Sequence, residues 1–367
     1  MKKKIPLPVL IAVVMIIVTA PLIPDTIATL KSAFNSAPIL DPLPLIWEKT
    51  FNGNIICSPV DNGDTIITRT RSQVSALNAQ SGEVLWQTEL PGRPVSCNSA
   101  MDDEKVFLLD DQEMLVAIDL AEGSIVWKNE EEFNYGPPEV HSILVLEEYV
   151  IPIRHNNHAT IINRQTGEGE GTIPGFERSE MFLGSLDGML LIGGEEKIIA
   201  YDLKQRTQLW EVVIPNQYRV LYDDGMAYSY VLPNDNSTEI AAFSLEHRRE
   251  IWRTELRNFE DIYDTDCLSQ DHQSVFVSGI FFHQLDKETG EVDWVNRSVL
   301  RPGCPAVFDN QVVLRQINSF FVLDRAKGEV LYRIPSRLFV RRIAPVRSGD
   351  LMIIVNGRKV SALQLDQ

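Results

Sequence analysis

The stretch Ala76-Leu77-Asn78-Ala79-Gln80-Ser81-Gly82-Glu83-Val84-Leu85-Trp86 decides the fold of this chain, because its frame recurs along the sequence. An apolar alternating segment ends in Asp or Asn, polar residues and a glycine follow, and a second alternating segment ends in an aromatic residue. This pattern predicts a β-hairpin in which glycine supplies a positive φ and the Asx side chain caps the turn. Further copies begin at Ala117, Ala200, Ala242, Gln284 and Val322, and a degenerate copy at Ile161 has Gly171 in place of the aromatic residue.

The tryptophans share the phase of this repeat. Measured from the first of them, the others lie 39, 80, 163, 205 and 247 residues on, each within two residues of a multiple of 41. A second hairpin is predicted upstream in each unit, for example Ile55 to Val60 followed by Thr65 to Arg69. Four short strands in about 41 residues are typical of a propeller blade, which must stack on its neighbours to bury both faces. The six repeat tryptophans are Trp47, Trp86, Trp127, Trp210, Trp252 and Trp294.

Counting the units predicts an all-β, eight-bladed propeller of four-stranded blades over residues 45–367. Its third strands centre on Ala76, Ala117, Ile161, Ala200, Ala242, Gln284, Val322 and Ala362. The last unit ends at Gln367 before any fourth strand, whereas Leu45 to Phe51 has the form of a fourth strand with no third strand before it. We therefore expect the N-terminal strand to complete the C-terminal blade, which removes the exposed edges of an open array.

The N-terminal segment predicts export. Three lysines precede an uncharged run from Ile5 to Pro24, in which Val9 to Ala20 is free of proline. Residues 1–28 are thus expected to form a hydrophobic helix that is either a cleaved signal peptide or a retained, transmembrane anchor, and residues 29–44 a linker. Both alternatives place the propeller outside the cytoplasm, in the periplasm or at the cell surface. No cysteine precedes Cys57 to carry a lipoprotein anchor.

Composition narrows the choice of partner. The chain has 34 Lys plus Arg against 51 Asp plus Glu, a formal net charge of −17. This balance argues against nucleic acid as a partner, because neutralising phosphates requires clustered cations.

The frame Ala-x-Asp-x-x-Thr-Gly-x-x-x-Trp, most complete at residues 76–86, resembles the tryptophan-docking repeat of PQQ-dependent dehydrogenases and of the BamB family of outer-membrane assembly factors. The BamB resemblance implies a noncatalytic scaffold that binds protein partners of a membrane-associated complex. The dehydrogenase resemblance implies a quinone held above a Ca²⁺ ion, but no recognisable ligand set is present and the copies leave no insertion for a cofactor chamber. We therefore expect no catalytic, cofactor-binding or metal-binding residues and no cofactor. A quinone-dependent dehydrogenase and a ligand- or glycan-sensing propeller remain alternatives.

The four cysteines occupy one structural position. Each lies 17 to 20 residues before the third-strand centre of its blade, which places all four on first strands lining the central channel. Ring order selects the pairs Cys57 with Cys97 and Cys267 with Cys304, at an expected Cα separation of roughly 6 to 7 Å, the long edge of disulfide geometry. Interblade disulfides, buried free thiols and, less favoured, metal or redox chemistry stay open as alternatives.

Few other polar side chains stand out as site candidates. The channel position of other blades falls near His141, Phe182, Arg219 and Ile343, so His141 and Arg219 are candidate contacts for an anionic ligand on the axis. Arg341 and Arg342, in a basic cluster with Arg337 and Arg347, are candidate contacts for lipid headgroups or an acidic partner. His155 and His158 lack the further ligands that a zinc site requires.

Overall fold

The computed structural model describes residues 44–90, 99–110, 114–129, 140–154, 159–173, 181–186, 189–193, 196–214, 217–234, 237–256, 267–316, 319–335 and 345–364. These residues form 32 strands in eight antiparallel, four-stranded sheets. This is the eight-bladed, all-β architecture that the repeat predicts. The expected N-terminal helix and most of the linker lie outside the described residues.

We number the blades by the order of their third strands. Blade 1 consists of β2 (Val60–Asp61), β3 (Thr65–Arg69), β4 (Gln73–Asn78) and β5 (Val84–Glu89), and blade 2 of β6 (Ser99–Met101), β7 (Lys105–Leu109), β8 (Leu115–Asp119) and β9 (Ile125–Lys128). Blade 3 consists of β10 (Val140–Val145), β11 (Tyr149–Arg154), β12 (Ala159–Asn163) and β13 (Gly169–Ile173), and blade 4 of β14 (Met181–Leu186), β15 (Met189–Gly193), β16 (Lys197–Asp202) and β17 (Thr207–Val213).

Blade 5 consists of β18 (Gln217–Asp223), β19 (Met226–Asn234), β20 (Ser237–Ser244) and β21 (Arg249–Leu256), and blade 6 of β22 (Cys267–Gln270), β23 (Ser274–Ser278), β24 (Phe282–Asp286) and β25 (Val292–Asn296). Blade 7 consists of β26 (Ala306–Val307), β27 (Gln311–Gln316), β28 (Ser319–Asp324) and β29 (Val330–Pro335), and blade 8 of β30 (Val346–Ser348), β31 (Leu351–Asn356), β32 (Lys359–Gln364) and β1 (Leu45–Thr50).

Neighbouring blades contact one another at their first strands. Contacts join β2 to β6 and β6 to β10, then β14 to β18 and β18 to β22, and finally β26 to β30 and β30 to β2. The first strands are therefore innermost and the fourth strands outermost. All eight third-strand centres named from the sequence lie in third strands. The first strand of blade 1 is shorter than expected: the segment predicted from Ile55 to Val60 is a strand only at Val60–Asp61.

The two ends of the described chain share blade 8. Strand β1 pairs antiparallel with β32, and Trp47 lies opposite Ala362. The backbone N–H of Gln364 donates to the carbonyl of Pro44 at 2.9 Å. The Trp47 side chain then packs in a core shared with blade 1, which includes Ile66 and Leu77. The N-terminal strand thus supplies the fourth strand of the last blade, as its sequence indicated.

The turn between third and fourth strands has the same construction in most blades. In blade 1, Asn78 Oδ1 accepts hydrogen bonds from the N–H groups of Gln80 and Ser81, and Gly82 follows with φ +68°. Glycine adopts this left-handed conformation without the steric penalty of a Cβ atom. The equivalent glycines Gly123, Gly167, Gly290 and Gly328 have φ between +67° and +76°. The turn chemistry predicted from the sequence is therefore present.

Each of these turns receives the tryptophan of the preceding blade. The indole Nε1 of Trp86 donates to the carbonyl of Leu120 at 2.7 Å, and a Cβ atom on Gly123 would lie 2.5 Å from the ring. Residues two positions after the tryptophan add a second interblade bond: Asn296, for example, donates from Nδ2 to the carbonyl of Gly328 at 2.6 Å. Five seams share this tryptophan–glycine contact: Trp47 with Gly82, Trp86 with Gly123, Trp127 with Gly167, Trp252 with Gly290 and Trp294 with Gly328.

The other three seams depart from this pattern. Between blades 3 and 4, Gly171 replaces the tryptophan and Arg206 replaces the turn glycine. Between blades 4 and 5, Trp210 is present but its turn carries Arg248, whose guanidinium lies 5.4 Å from the ring centroid. Between blades 7 and 8, Tyr332 takes the tryptophan position and belongs to a buried cluster with Met352 and Leu363 of blade 8.

Candidate functional site

The innermost strands of blades 3 and 5 carry the two channel candidates at one equivalent position. In β10 the pairing register shifts between Val140 and Ser142, which leaves His141 as the extra residue of a bulge. In β18 the shift between Tyr218 and Val220 leaves Arg219 in the same role. The sequence therefore placed both residues on first strands. Their side chains lie outside the described part of the structure, so the anionic-ligand hypothesis stays a prediction.

A disulfide joins blades 6 and 7 where their first strands begin. It links Cys267, the first residue of β22, to Cys304, with 5.2 Å between the Cα atoms. This separation is shorter than the 6 to 7 Å expected from ring geometry and lies well within the usual range. Cys57 is also disulfide-bonded, and Cys97 lies outside the described residues. One positional expectation was wrong: of the three cysteines in the described ranges, Cys267 lies within a first strand, whereas Cys57 and Cys304 precede theirs.

The two described bridge positions differ in access to solvent. Cys304 is exposed and Cys267 half-buried, whereas Cys57 is only 4% exposed. Near the exposed bridge, the hydroxyl of the fully buried Tyr230 in blade 5 donates to the carbonyl of Ser278 in blade 6 at 2.9 Å. The channel mouth at blades 5 to 7 is thus held by a covalent bond and by buried polar contacts.

The opposite channel mouth is formed by the turns between first and second strands, and ion pairs link these turns across seams. A cation that follows the Asx residue of one blade pairs with a carboxylate in the first turn of the preceding blade. Arg164 Nε lies 2.7 Å from Asp102 Oδ2, and Arg325 Nη2 lies 2.6 Å from Asp271 Oδ2, although neither pair has the angles of a linear hydrogen bond. Lys204 with Glu148 and Lys287 with Asp223 repeat the arrangement.

The seam between blades 8 and 1 uses a hydroxyl at this level. Ser348 Oγ donates to Asp61 Oδ1 at 2.8 Å. Burial raises the pKa of the Asp61 carboxyl above its ordinary value, and the hydrogen bond from Ser348 opposes that rise.

Arg347, predicted as part of a basic cluster, pairs with Asp309 at 3.1 Å and lies over the Phe308 ring. Its partners Arg337, Arg341 and Arg342 lie outside the described residues.

The outer wall carries apolar residues at a repeated position. In every fourth strand the pairing register shifts just before the tryptophan position, so that one residue bulges from the sheet. The bulged residue is an exposed apolar side chain in six blades and is Glu170 or Asp293 in the other two. Sequence alternation alone did not reveal this wall, because a bulge changes the direction of the side chains. The six exposed bulge residues are Ile46, Leu85, Val126, Leu209, Ile251 and Leu331.

Within the described ranges, no three or more His, Cys, Asp and Glu side chains gather into a group that could hold a metal ion. Asp61 ends β2 and Asp64 lies in the turn that follows, and these two carboxylates alone do not supply the six to eight oxygen ligands that Ca²⁺ takes. His155, His158 and residues 257–266 lie outside these ranges. No helix in the described portion of the chain has the length and apolar character that a membrane span requires.

Comparison with known proteins supports the resemblance read from the repeat. A family model described as "Outer membrane protein assembly factor BamB" matches residues 44–182. The crystal structure of BamB from Moraxella catarrhalis has a TM-score of 0.66 and 15% sequence identity, and the match covers 88% of this chain and 100% of that one. No curated protein sequence matches the chain. The PQQ-like and BamB-like resemblance is therefore confirmed for the repeat and the fold.

The architecture by itself does not select a function. The computationally designed protein Ika8 has a TM-score of 0.64 and 10% identity, with 86% of this chain and 98% of that chain covered. A designed protein thus resembles the chain in fold almost as closely as BamB does. Function has to be argued from the surfaces of this propeller.

Proposed function

We propose that this chain, whose repeat and fold are those of the BamB-like and PQQ-like propellers, is a noncatalytic scaffold. It holds protein partners of a membrane-associated complex on the outer side of a bacterial membrane. The observation that carries this proposal is the match of residues 44–182 to the BamB family model, together with a fold match that spans a whole BamB chain. The N-terminal segment, residues 1–28, would direct export and either be removed or tether the propeller to the membrane.

The outer wall within the matched range supplies the surface for partner contact. Leu45 and Ile46 on blade 8, Leu85 on blade 1, and Ile125 and Val126 on blade 2 are 45–54% exposed. They lie on three successive fourth strands, next to the buried tryptophans. Apolar side chains of this size on an outer edge can be buried by a partner, and such burial is the main favourable term in protein association.

Substitutions of exposed apolar residues on the outer wall test the scaffold proposal. The full chain with its own leader, tagged at the C-terminus, is crosslinked and purified from membranes of its source bacterium. We expect defined membrane-associated proteins to co-purify with the wild type and to be lost from the variant Leu85→Glu/Val126→Glu. The matched control is Leu209→Glu/Val213→Glu on blade 4, which alters two exposed apolar residues outside the family match. Equal recovery of partners by both variants would count against contact through blades 1 and 2.

Separate measurements test location and the enzymatic alternative. Protease added to intact spheroplasts should digest the propeller, because the proposal places it outside the cytoplasm; full protection would contradict that placement. A quinone-dependent dehydrogenase would purify with a chromophore absorbing in the near ultraviolet or visible range, or gain Ca²⁺-dependent dye reduction when PQQ is added. Either result would replace the scaffold proposal with the enzymatic one.

A further inference from the structure

Trp210 on β17 differs from the five tryptophans that pack on a glycine. Each of those five is 8% exposed and donates its indole N–H to a backbone carbonyl in the turn of the next blade. Trp210 is half-buried, and its indole N–H has no hydrogen-bond partner among the described residues. A Cβ atom on any of the five equivalent glycines would overlap the ring, so the arginine at position 248 requires the Trp210 ring to lie further out.

Arg248 also has a backbone conformation that favours glycine, with φ +53°. This left-handed conformation is unfavourable for a residue with a Cβ atom. A glycine at this position would remove the strain and would let Trp210 pack as the other tryptophans do, so the seam between blades 4 and 5 does not require an arginine. Strained non-glycine residues cluster at functional sites in proteins, which makes Arg248 a candidate for contact with a partner.

Two guanidinium groups at this turn are available to a partner. Arg248 and the adjacent Arg249 are exposed, and neither forms an ion pair within the described part of the chain, which includes this turn and the strands β17 and β21 in full. The Glu250 carboxylate is already bound by Arg253, with 2.6 Å between Arg253 Nη2 and Glu250 Oε2. The turn itself contains one carboxylate, Glu246, against the two arginines. A local cationic site thus exists in a chain whose net charge is −17.

Apolar side chains lie beside these arginines. Leu209 and Val213 on β17 are 45% and 62% exposed, and Ile251 on β21 is 42% exposed. Leu209 directly precedes Trp210, and Ile251 lies two residues after Arg249. We call these six residues the rim patch: Leu209, Trp210, Val213, Arg248, Arg249 and Ile251.

The chemistry of the rim patch defines what it can bind. Its polar side-chain groups are the indole N–H and two guanidinium groups, and all of them donate hydrogen bonds without accepting any. Carboxylates are the acceptors that match arginine best, because they bind the planar guanidinium through two parallel hydrogen bonds. The exposed leucine, valine and isoleucine can in turn be buried by apolar side chains of the same partner.

The charges that flank the patch favour a protein segment over a membrane surface. The turn of blade 3 carries the exposed Glu168, and the turn of blade 6 carries the exposed Glu288 and Glu291. An anionic bilayer is an extended surface and would meet these carboxylates together with the arginines, which opposes binding. A polypeptide segment can contact the patch alone.

From these observations we propose that the rim patch binds an acidic segment of a partner protein, in which carboxylates are interspersed with apolar side chains. The proposal goes beyond the scaffold proposal and does not depend on it, because the scaffold surface is on blades 8, 1 and 2 and the rim patch is on blades 4 and 5. Partners held by blades 8, 1 and 2 are expected to remain bound to variants of the rim patch.

Fluorescence anisotropy of a short labelled peptide, titrated with the purified full chain, tests the proposal. In the probe peptide glutamate and leucine alternate, and a comparison peptide has lysine in place of glutamate. We expect the glutamate peptide to bind with a dissociation constant of about 100 μM or tighter, and the lysine peptide not to bind. Binding should weaken as salt is added, because the charges are exposed.

Two arginine variants locate the binding site. Arg248→Gly restores the glycine of the repeat and should fold at least as well as the wild type, yet bind the glutamate peptide about fivefold or more weakly, the effect of losing one charge-assisted hydrogen bond. Arg249→Gln should weaken binding to a similar extent. The matched control is Lys327→Gln, which removes an exposed cation from the corresponding turn of blade 7 and should bind as the wild type does. Leu85→Glu/Val126→Glu, which alters the scaffold surface, should also bind the peptide normally.

Several results would overturn the proposal. They are no binding of the glutamate peptide, equal binding of the lysine peptide, and wild-type affinity in both arginine variants. Vesicles of phosphatidylcholine and phosphatidylglycerol provide the membrane comparison. Binding to these vesicles that is lost in Arg248→Gly, without binding to the peptide, would assign the rim patch to lipid and would also overturn the proposal.

Discussion

The guanidinium of Arg206 lies against Gly171, where a tryptophan ring contacts a turn glycine at five other seams. Arg206 Nη2 donates to the carbonyl of Glu170, and a Cβ atom on Gly171 would lie 2.9 Å from Arg206 Nη1. Arg206 keeps the left-handed backbone of the glycine that it replaces, with φ +56°. The large and small residues have thus changed places: at this seam the glycine is on the outer strand and the large side chain is in the turn, whereas the other five seams have the tryptophan on the strand and the glycine in the turn.

This exchange predicts strong coupling between the two positions. Gly171→Trp alone should destabilise the protein, because the indole needs the space that the guanidinium fills. Gly171→Trp combined with Arg206→Gly should lose less stability than the sum of the single changes, with a coupling of about 1–3 kcal/mol in urea unfolding. The control pairs Gly171→Trp with Arg248→Gly on blade 5. Coupling of equal size in that control would show that the effect does not arise from contact between residues 171 and 206.

The tryptophan–glycine contact itself can be separated from backbone strain. Gly123 and Gly225 have nearly the same φ, +74° and +76°, but a Cβ atom would meet the Trp86 ring at 2.5 Å in the first case and nothing within 4 Å in the second. We expect Gly225→Ala to cost about 1–2 kcal/mol for the left-handed backbone. Gly123→Ala should cost about 2–4 kcal/mol, since overpacking adds to that strain. Equal losses of unfolding free energy would mean that the ring adjusts freely.

A buried histidine should make stability depend on pH. His283 on β24 is 3% exposed, and burial, followed by the charge of Arg297, lowers its pKa to about 4. Between pH 6.5 and about 4 the unfolded chain binds a proton at this side chain that the folded chain does not bind. The free energy of unfolding should therefore fall by about 3 kcal/mol from this group as the pH falls through that window.

Replacement of the histidine provides the measurement. The free energy of unfolding of His283→Gln should decline less steeply than that of the wild type from pH 6.5 to 4, whatever its value at neutral pH. His272→Gln, a change at an exposed histidine in a turn of the same blade, should retain the wild-type slope. Parallel curves for His283→Gln and the wild type would contradict a neutral, buried His283.

The exposed disulfide should be reduced before the buried one. Thiolates reach Cys304 more easily than Cys57, so mild dithiothreitol followed by alkylation should label Cys267 and Cys304 first in a peptide map. The Cys267→Ser/Cys304→Ser variant should lose at most about 4 kcal/mol, the chain-entropy value for a sequence separation of 37 residues. Labelling of Cys57 at the same rate would contradict the difference in access.

Strict spacing made the fold predictable. Trp86 and Trp127 repeat in register, so blade number, third-strand centres and the pairing of β1 with β32 all followed from counting. The contacts between blades were harder to predict from the sequence. Gly171 and Arg206 lie 35 residues apart, and nothing in the repeat shows that each departure from the pattern compensates for the other.

The surface features were missed for related reasons. Leu85 reads as one residue of a regular strand, and only the bulge before Trp86 turns it outward. On β14 the channel position was expected near Phe182, and the register shift between Phe182 and Gly184 makes the adjacent Leu183 the extra residue. The ion pair of Arg325 with Asp271 joins two repeat positions that lie 54 residues apart, so the pairing becomes visible only when the blades are placed side by side.

The pairing of β1 with β32 sets an order of events during synthesis. The first strand of the propeller leaves the ribosome about 310 residues before its hydrogen-bonding neighbour exists. Throughout that interval Trp47, Leu45 and Ile46 belong to an unpaired hydrophobic segment, of the kind that chaperones bind and that aggregates if left alone. Only when β32 (Lys359–Gln364) has been translated can this segment find its place in the propeller.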